Sequence, residues 1–287
     1  MSGAPRPVVG TASVGYLFGV LAARAIPGTV LVPLLTDLGM SVPGARTMLH
    51  RMRAAGAVTV SKVGRVAVYR LAGVYLEHYR KITFAAPVPD WAGAFQAIVY
   101  DIPETHRHER DRLREQAFQS GYAAVRSGLL IGVARPGAWL RRWLDRSEWM
   151  VEQAELRCEL PAARRLADRA WGLAAIADRI EVFDAALRQV ERRVAGQRFD
   201  GPGALCRLYE IWQEFVAIQI LAPSLPGELY PSRWGMAGMQ NRVYRVNAAL
   251  LPLANAHAQA VVGRAGAAEL IEHEPQTPRS AESDGSG

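Results

Sequence analysis

Cysteine is nearly absent from this chain: two in 287 residues, Cys158 and Cys206, far apart and without CxxC spacing. That excludes a disulfide scaffold, gives no hint of a zinc cluster, and fits a reducing cytoplasm. Apolar runs of bilayer length are missing too. The longest, around "VGYLFGVLAA", is interrupted by Arg24, Pro27 and Gly28 before it reaches the roughly 20 residues a spanning helix needs. Arg6 ahead of that run and "AARA" behind it imitate a signal peptide. We read the run as a first helix packed in a small domain, because the residues downstream of it complete a domain that uses it. The signatures GxSxG, HExxH, GxxxxGK[ST] and GxGxxG do not occur, so hydrolase, zinc-protease and nucleotide-binding readings have no foothold.

Acidic residues are scarce in one region only. Residues 1–80 hold nine Lys/Arg against two Asp/Glu, whereas the rest of the chain is balanced at 25 of each. The entire net charge of +7 therefore sits in the first 80 residues. A localised basic excess is the electrostatic footprint of a module for nucleic acid or another acidic surface. Half the residues are apolar, ample for globular packing, and the length calls for two or three domains.

The N-terminal pattern predicts helices over 13–24 and 28–39, with Pro27-Gly28 between them and Gly39 as the second stop. Ser41 is a suitable cap for a third helix. In "SVPGARTMLHRMRAAG" the residues Val42, Ala45, Leu49 and Met52 recur at helical spacing and make one buried stripe, and Gly56 ends the helix. Pro43, Thr47, His50 and Arg51 then point away from the core, flanked by Arg46 and Arg53. Two β-prone runs, "AVTVS" and "VAVYRL", come next around "KVGR", where Gly64 supplies the turn. Three helices and a basic-tipped hairpin are the order of a winged helix-turn-helix. Its third helix suits the major groove, and Lys62 and Arg65 on the hairpin can reach phosphates.

After the Pro/Ala-rich linker "FAAPVPD", a strand is expected over 95–101 and a charged helix over about 104–119, ended by Gly121. "YAAVRSGLLIGV" reads as two strands, "PGAWLRRWLDR" as a short amphipathic helix and "WMVEQAELRC" as a last strand. That βαββαβ order is ferredoxin-like. From Pro161 the chain turns to long helices. Ile176, Ile180, Phe183, Leu187, Val190 and Val194 form one apolar seam. A second helix is expected over about 203–221 and a last one from Met236 past Leu250. The segment "APSLPGELYPSRW" reads as a rigid turn, and the tail "EHEPQTPRSAESDGSG" reads as disordered.

"GARTMLHRMRAAGAV" with "GRVAVYRLAG" resembles the winged-helix region of the phenylacetic-acid-degradation repressor (PaaX) family. "DWAGAFQAIVYDIPETHRHERDRLREQAFQSGYAAVRSGLLIG" is similar to that family's central domain, "LADRAWGLAAIAD" to its Trp-x-Leu helix start, and "LAPSLPGELYPSRW" to its proline-rich C-terminal signature. The resemblance covers roughly residues 10–255, with the motifs in register. It implies a dimeric transcriptional repressor whose DNA binding is relieved by an aryl-acyl-CoA thioester. Three positions depart from the family signature: Ala222 stands where an acid is usual, Tyr230 where leucine is usual, and Gly235 where proline is common.

The stretch "VYDIPETHRHERDRL" invites a catalytic reading. The middle of the chain also resembles the small nuclease-like subunit of CRISPR adaptation complexes, in which an Asp after the first strand can hold a divalent metal. Asp101 occupies the matching place, and Asp101, His106 and Glu109 are the trio to test for such a metal-dependent nuclease. His106 and His108, two residues apart, cannot share a helix face. The simpler reading makes Pro103 and Glu104 the first turn of a helix, with Asp101 accepting backbone N–H bonds there and His106, Arg107, His108 and Arg110 forming a solvated face. We take the simpler reading, with no enzymatic activity and no cofactor.

The expected architecture is α+β: a winged helix-turn-helix over 1–82, a linker over 83–90, a ferredoxin-like domain over 91–160, a helical dimerisation and effector domain over 161–265, and a disordered tail from 266. The expected partners are double-stranded DNA at an inverted repeat, a small aromatic or aryl-CoA effector and a second copy of the chain, in the cytoplasm and away from membranes. The expected DNA contacts are Thr47, His50 and Arg51 to bases, with Arg46, Arg53, Lys62 and Arg65 mostly to phosphates. Trp171, Arg207, Trp212, Arg233 and Trp234 are the candidate effector contacts.

Overall fold

The computed structural model describes residues 10–73, 76, 90–146, 148–196 and 199–273. In chain order the elements are α1 (Ala12–Val20), β1 (Ala23–Pro27), α2 (Gly28–Asp37), α3 (Val42–Ala54), β2 (Val58–Val63) and β3 (Val66–Leu71). Next come β4 (Ala94–Asp101), α4 (Arg107–Gln119), β5 (Ala123–Arg126), β6 (Leu129–Gly132), α5 (Arg141–Leu144) and β7 (Met150–Arg157). The last part holds α6 (Leu160–Trp171), α7 (Leu173–Gly196), α8 (Gly201–Leu221), α9 (Met236–Arg264) and β8 (Glu272–His273). Helices and two antiparallel four-stranded sheets make this an α+β protein. Among the described residues no helix is long and apolar enough to cross a membrane.

Contacts divide the chain into two compact units. One comprises residues 1–85, 187–216 and 242–287; the other comprises 86–186 and 217–241. Packing thus groups residues that composition and order had placed in separate segments.

In the first unit the sheet order is β2-β3-β1-β8. The helix expected over 13–24 stops at Val20, and residues 23–27 are a strand instead. Ala22, with φ of +46°, turns the chain out of the helix, and β1 pairs with β3 at Ile26–Tyr69 and Pro27–Val68. A short apolar run does not announce whether it will be helix or strand, and the partner strand decides. Helix α3 begins as expected: the Ser41 hydroxyl accepts a hydrogen bond from the Gly44 N–H at 3.2 Å. Ala45, Leu49 and Met52 are buried, but Val42, in the first turn, is exposed. The β2–β3 hairpin runs in strict register from Val58–Leu71 to Val63–Val66, closed by Gly64-Arg65. Gly64 has φ of +59°, the left-handed backbone such a two-residue turn needs at its first position.

The C-terminal helices complete this unit. The Tyr16 hydroxyl donates to the Leu205 carbonyl at 2.9 Å, and Asn255 donates to the Val20 carbonyl at 2.8 Å. His257 Nε2 lies 2.7 Å from Asp37 Oδ2, and the Cys206 thiol donates to the Asp37 carbonyl at 3.1 Å. Gly201 must be glycine, because a Cβ there would stand 2.5 Å from the His257 Cβ. The tail does not begin at 266: a 3₁₀ turn at Ala268–Leu270 leads into β8, which pairs with β1. There the Glu272 carboxylate ion-pairs with Arg70, which also donates to the Ser61 hydroxyl at 2.8 Å. Residues 274–287 and most of the expected linker lie outside the described residues.

The second unit is built on a sheet of order β5-β6-β4-β7, every neighbouring pair antiparallel. Strand β4 is covered on both faces, which explains its nearly continuous apolar sequence "AFQAIVY". Ile98 and Tyr100 pack with Leu113, Ala117, Leu130, Leu140 and Trp143 on one side. Phe95 and Ala97 pack with Ile131, Ala163, Ala167, Leu173, Leu225 and Leu229 on the other. The proline-rich segment is pinned by one side chain: the Tyr230 hydroxyl donates to the Pro223 carbonyl at 2.6 Å and accepts from the Leu225 N–H at 3.0 Å. In the α7 seam Ile176, Ile180, Phe183 and Leu187 are buried, while Val190 and Val194 are only half-buried.

Candidate nucleic-acid interface

Each residue of an α-helix advances about 100° around the axis. On α3 this gathers Pro43, Arg46, Thr47, His50, Arg51, Arg53 and Ala54 on an arc of roughly 160°, away from Ala45, Leu49 and Met52. All of the first group are exposed. On the hairpin Lys62 and Arg65 are exposed as well, beside the exposed apolar tip residue Val63.

Among the described residues, the side chains of Arg46, Arg51, Arg53, Lys62 and Arg65 form no ion pair or hydrogen bond. The neighbouring Arg70, by contrast, is held by Glu272 and Ser61. Unneutralised cations on one helix face and a nearby hairpin suit the regular charges of a phosphate backbone. Thr47 and His50 add hydrogen-bonding groups on the same helix face, of the kind that read base edges.

The charged helix of the middle region has a structural occupation. The Glu104 carboxylate takes a hydrogen bond from Arg110 at 2.6 Å, which holds its carboxyl below the usual range, the bond outweighing the added effect of the Arg110 charge. Neither Glu104–His106 nor α4 has a side-chain cap, so Asp101 does not play the capping part expected of it. Arg110 is mostly buried, contrary to the solvated face expected, and its Nε is left without a partner. Glu109 binds Arg112 at 3.5 Å and Arg146 at 3.3 Å. The Arg146 guanidinium lies over both Trp143 and Trp149, 5.0 and 5.2 Å from their ring centres. His106 leans on Trp149, its ring centre 5.3 Å away. Asp101, His106 and Glu109 are therefore not gathered into a donor set. Among the described residues no group of three or more His, Cys, Asp or Glu is placed to hold a metal ion.

The five candidate effector residues fall in different surroundings. Trp171 and Trp234 pack against the Phe95 core cluster, with Trp171 6.3 Å from Phe95 and Trp234 stacked on Tyr230 at 4.4 Å. Arg233 ion-pairs with Asp178 and donates to the Ala174 carbonyl at 3.2 Å. Arg207 and Trp212 belong to the first unit, where Arg207 pairs with Glu210 and Trp212 packs on Tyr16 and Tyr209. Burial pushes the Tyr16 phenol well above its ordinary pKa, so it stays a neutral donor. Trp91 and Arg157, neither of them a candidate from the sequence, line one open groove of the second unit.

Residues 18–74 match the family profile described as PaaX-like protein, and residues 88–150 match that of the PaaX protein central Cas2-like domain. Over these two regions the chain is similar to PaaX-like proteins. PaaX-like proteins are generally transcriptional regulators. No curated protein matches this PaaX-like chain. The uncharacterized protein Rv0674 from Mycobacterium tuberculosis is a structural match at 22% identity and a TM-score of 0.57, covering 87% of this chain and 97% of its own. At that identity the likeness establishes a shared fold and nothing further.

Proposed function

We propose that this PaaX-like chain is a sequence-specific DNA-binding regulator, a homodimeric repressor at an inverted-repeat operator, released by an aryl-acyl-CoA or related aromatic ligand. The observation that carries the DNA reading is the exposed, unpaired cationic face of α3 together with Lys62 and Arg65. The order α1-β1-α2-α3-β2-β3 supports a winged helix, with α3 entering the major groove and the hairpin lying along the backbone. Thr47, His50 and Arg51 then read bases, and Arg46, Arg53, Lys62 and Arg65 hold phosphates. The strand order β5-β6-β4-β7 supports a ferredoxin-like middle that serves as scaffold and contributes to dimer contacts.

Release requires the effector to bind the DNA-incompetent state more tightly than the competent one. Ala222, Tyr230 and Gly235 depart from the family signature, so the ligand need not be phenylacetyl-CoA. The test is footprinting on the promoter beside its own gene, repeated with a panel of aryl-CoA thioesters. A protected inverted repeat that one thioester abolishes is the expected result. Absence of any protected site at low salt defeats the DNA reading, and protection indifferent to every thioester defeats the effector reading alone.

A further inference from the structure

A cavity of about 290 Å³ opens in the second unit where β4 ends, beside the β5–β6 turn and the start of β7. Asp101, Arg126, Ser127, Ile102 and Met150 line it, with Arg110 in its wall. That volume lies at the small end of ligand sites and suits a molecule of amino-acid size better than a nucleotide. The backbone fixes the walls: the Tyr100 N–H donates to the Gly128 carbonyl at 2.9 Å, and Asp101 stands in register with Met150. Gly128 has φ of +81°, and a Cβ there would stand 2.9 Å from the Tyr100 carbonyl oxygen. Only glycine lets the turn that carries Arg126 and Ser127 lie this close to β4. Asp101 and Arg126 are thus held on one preorganised site.

The charges restrict what fits. Asp101, Arg126 and Ser127 are exposed, and among the described residues none of their side chains forms an ion pair or hydrogen bond. An acid and a base therefore line one cavity without meeting, more than 4.0 Å apart. Arg110 is already bonded to Glu104 at 2.6 Å, so its charge is answered from within the fold. A simple anion is drawn by Arg126 and repelled by Asp101, and a simple cation meets the reverse. A molecule that carries both charges gains from both residues through charge-assisted hydrogen bonds. In an α-amino acid the carboxylate and ammonium share one carbon, compact enough for a cavity of this size. The remaining wall is apolar: Ile102 is buried and Met150 is exposed at the rim.

We infer that this cavity binds a free α-amino acid with an apolar aliphatic side chain. Its carboxylate lies on Arg126 and the Ser127 hydroxyl, its ammonium on Asp101, and its side chain against Ile102 and Met150. The inference rests on the cavity and its charges, not on the DNA reading above. L-Leucine is the probe, titrated calorimetrically into the intact chain. Two analogues of the same carbon skeleton each remove one charge: 4-methylpentanoate lacks the ammonium, and 3-methylbutylamine lacks the carboxylate. Leucine is expected to bind roughly tenfold or more tightly than either, because each analogue loses one charged hydrogen-bond partner.

Two variants assign the charges. Asp101→Asn is expected to weaken leucine by roughly tenfold and to erase its advantage over 4-methylpentanoate. Arg126→Gln is expected to weaken leucine similarly and to erase its advantage over 3-methylbutylamine. Both positions are exposed and unpaired, so neither change removes a native contact, and circular dichroism checks the fold. No binding of leucine, equal binding of leucine and either analogue, or an unchanged leucine affinity in either variant overturns the inference. Gel retardation without leucine reports the regulatory reading separately. A chain that binds DNA and takes no leucine loses the cavity only, and one that takes leucine without binding DNA loses the regulatory reading only.

Discussion

Arg51 and Lys62 differ from Arg110 in what surrounds their charge, and the difference sets what each does. Arg110 is mostly buried and bonded to Glu104, whereas Arg51 and Lys62 stand exposed with no anion beside them. Arg51→Ala is expected to weaken operator binding by about 1–3 kcal/mol and relax specificity at the base it faces. Lys62→Ala should weaken all sequences alike and flatten the slope of log K against log salt by about one unit, measured by titrations across salt concentrations. The Glu104–Arg110 pair makes a separate prediction. Its carboxyl is more acidic folded than its ordinary 4.5, so the pair stabilises above that value and is lost as pH falls through the folded one. The melting-temperature gap between wild type and Glu104→Gln should be open near neutrality and narrow as the pH falls below the ordinary 4.5. The position of Arg51 was legible from helical spacing and that of Lys62 from the hairpin signal around Gly64. Arg110 was not, because its burial comes from the fold of the second unit and not from its neighbours in sequence.

Helix α3 shows how far element-scale signals reach. Its Ser41 cap, its Gly56 stop and the Ala45, Leu49 and Met52 positions of its stripe come from local stereochemistry and are present, while Val42 of the same stripe is exposed. Ser41→Ala is expected to cost about 0.5–2 kcal/mol by thermal denaturation, and to weaken operator binding because the proposed contact face lies on α3. The hairpin and the strands of the second sheet were readable for the same reason: alternation and turn residues are local. Strands β1 and β8 were not. "ARAIP" and "EH" are too short to carry a period, and each is a strand only because another strand lies beside it. Arg70 and Glu272 illustrate the point, paired across Ala25 although 202 residues separate them.

The two units are a property of the whole chain. Tyr16, Val20 and Asp37, all in the basic N-terminal region, bond to Leu205, Asn255, Cys206 and His257. A fragment ending at residue 85 therefore loses the partners of buried groups, each worth about 1–3 kcal/mol when left unsatisfied. It is expected to melt well below the intact chain and with a shallower transition, monitored by circular dichroism. A sharp transition at the temperature of the intact chain would mean that the N-terminal region folds by its own contacts alone.

The sequence by itself determined the α+β class, the basic N-terminal region, the cap, stripe and stop of α3, and the likeness to PaaX-like proteins. These rest on composition and on spacings of a few residues, which act locally. Only the tertiary structure decided that 23–27 and 272–273 are strands, that the C-terminal helices share a unit with residues 1–85, that "THRHER" is occupied by Arg146, Trp149 and Glu104, and that Trp91 and Arg157 line one groove. Each of these depends on which distant residues come into contact, and contact across hundreds of residues leaves no period in the sequence.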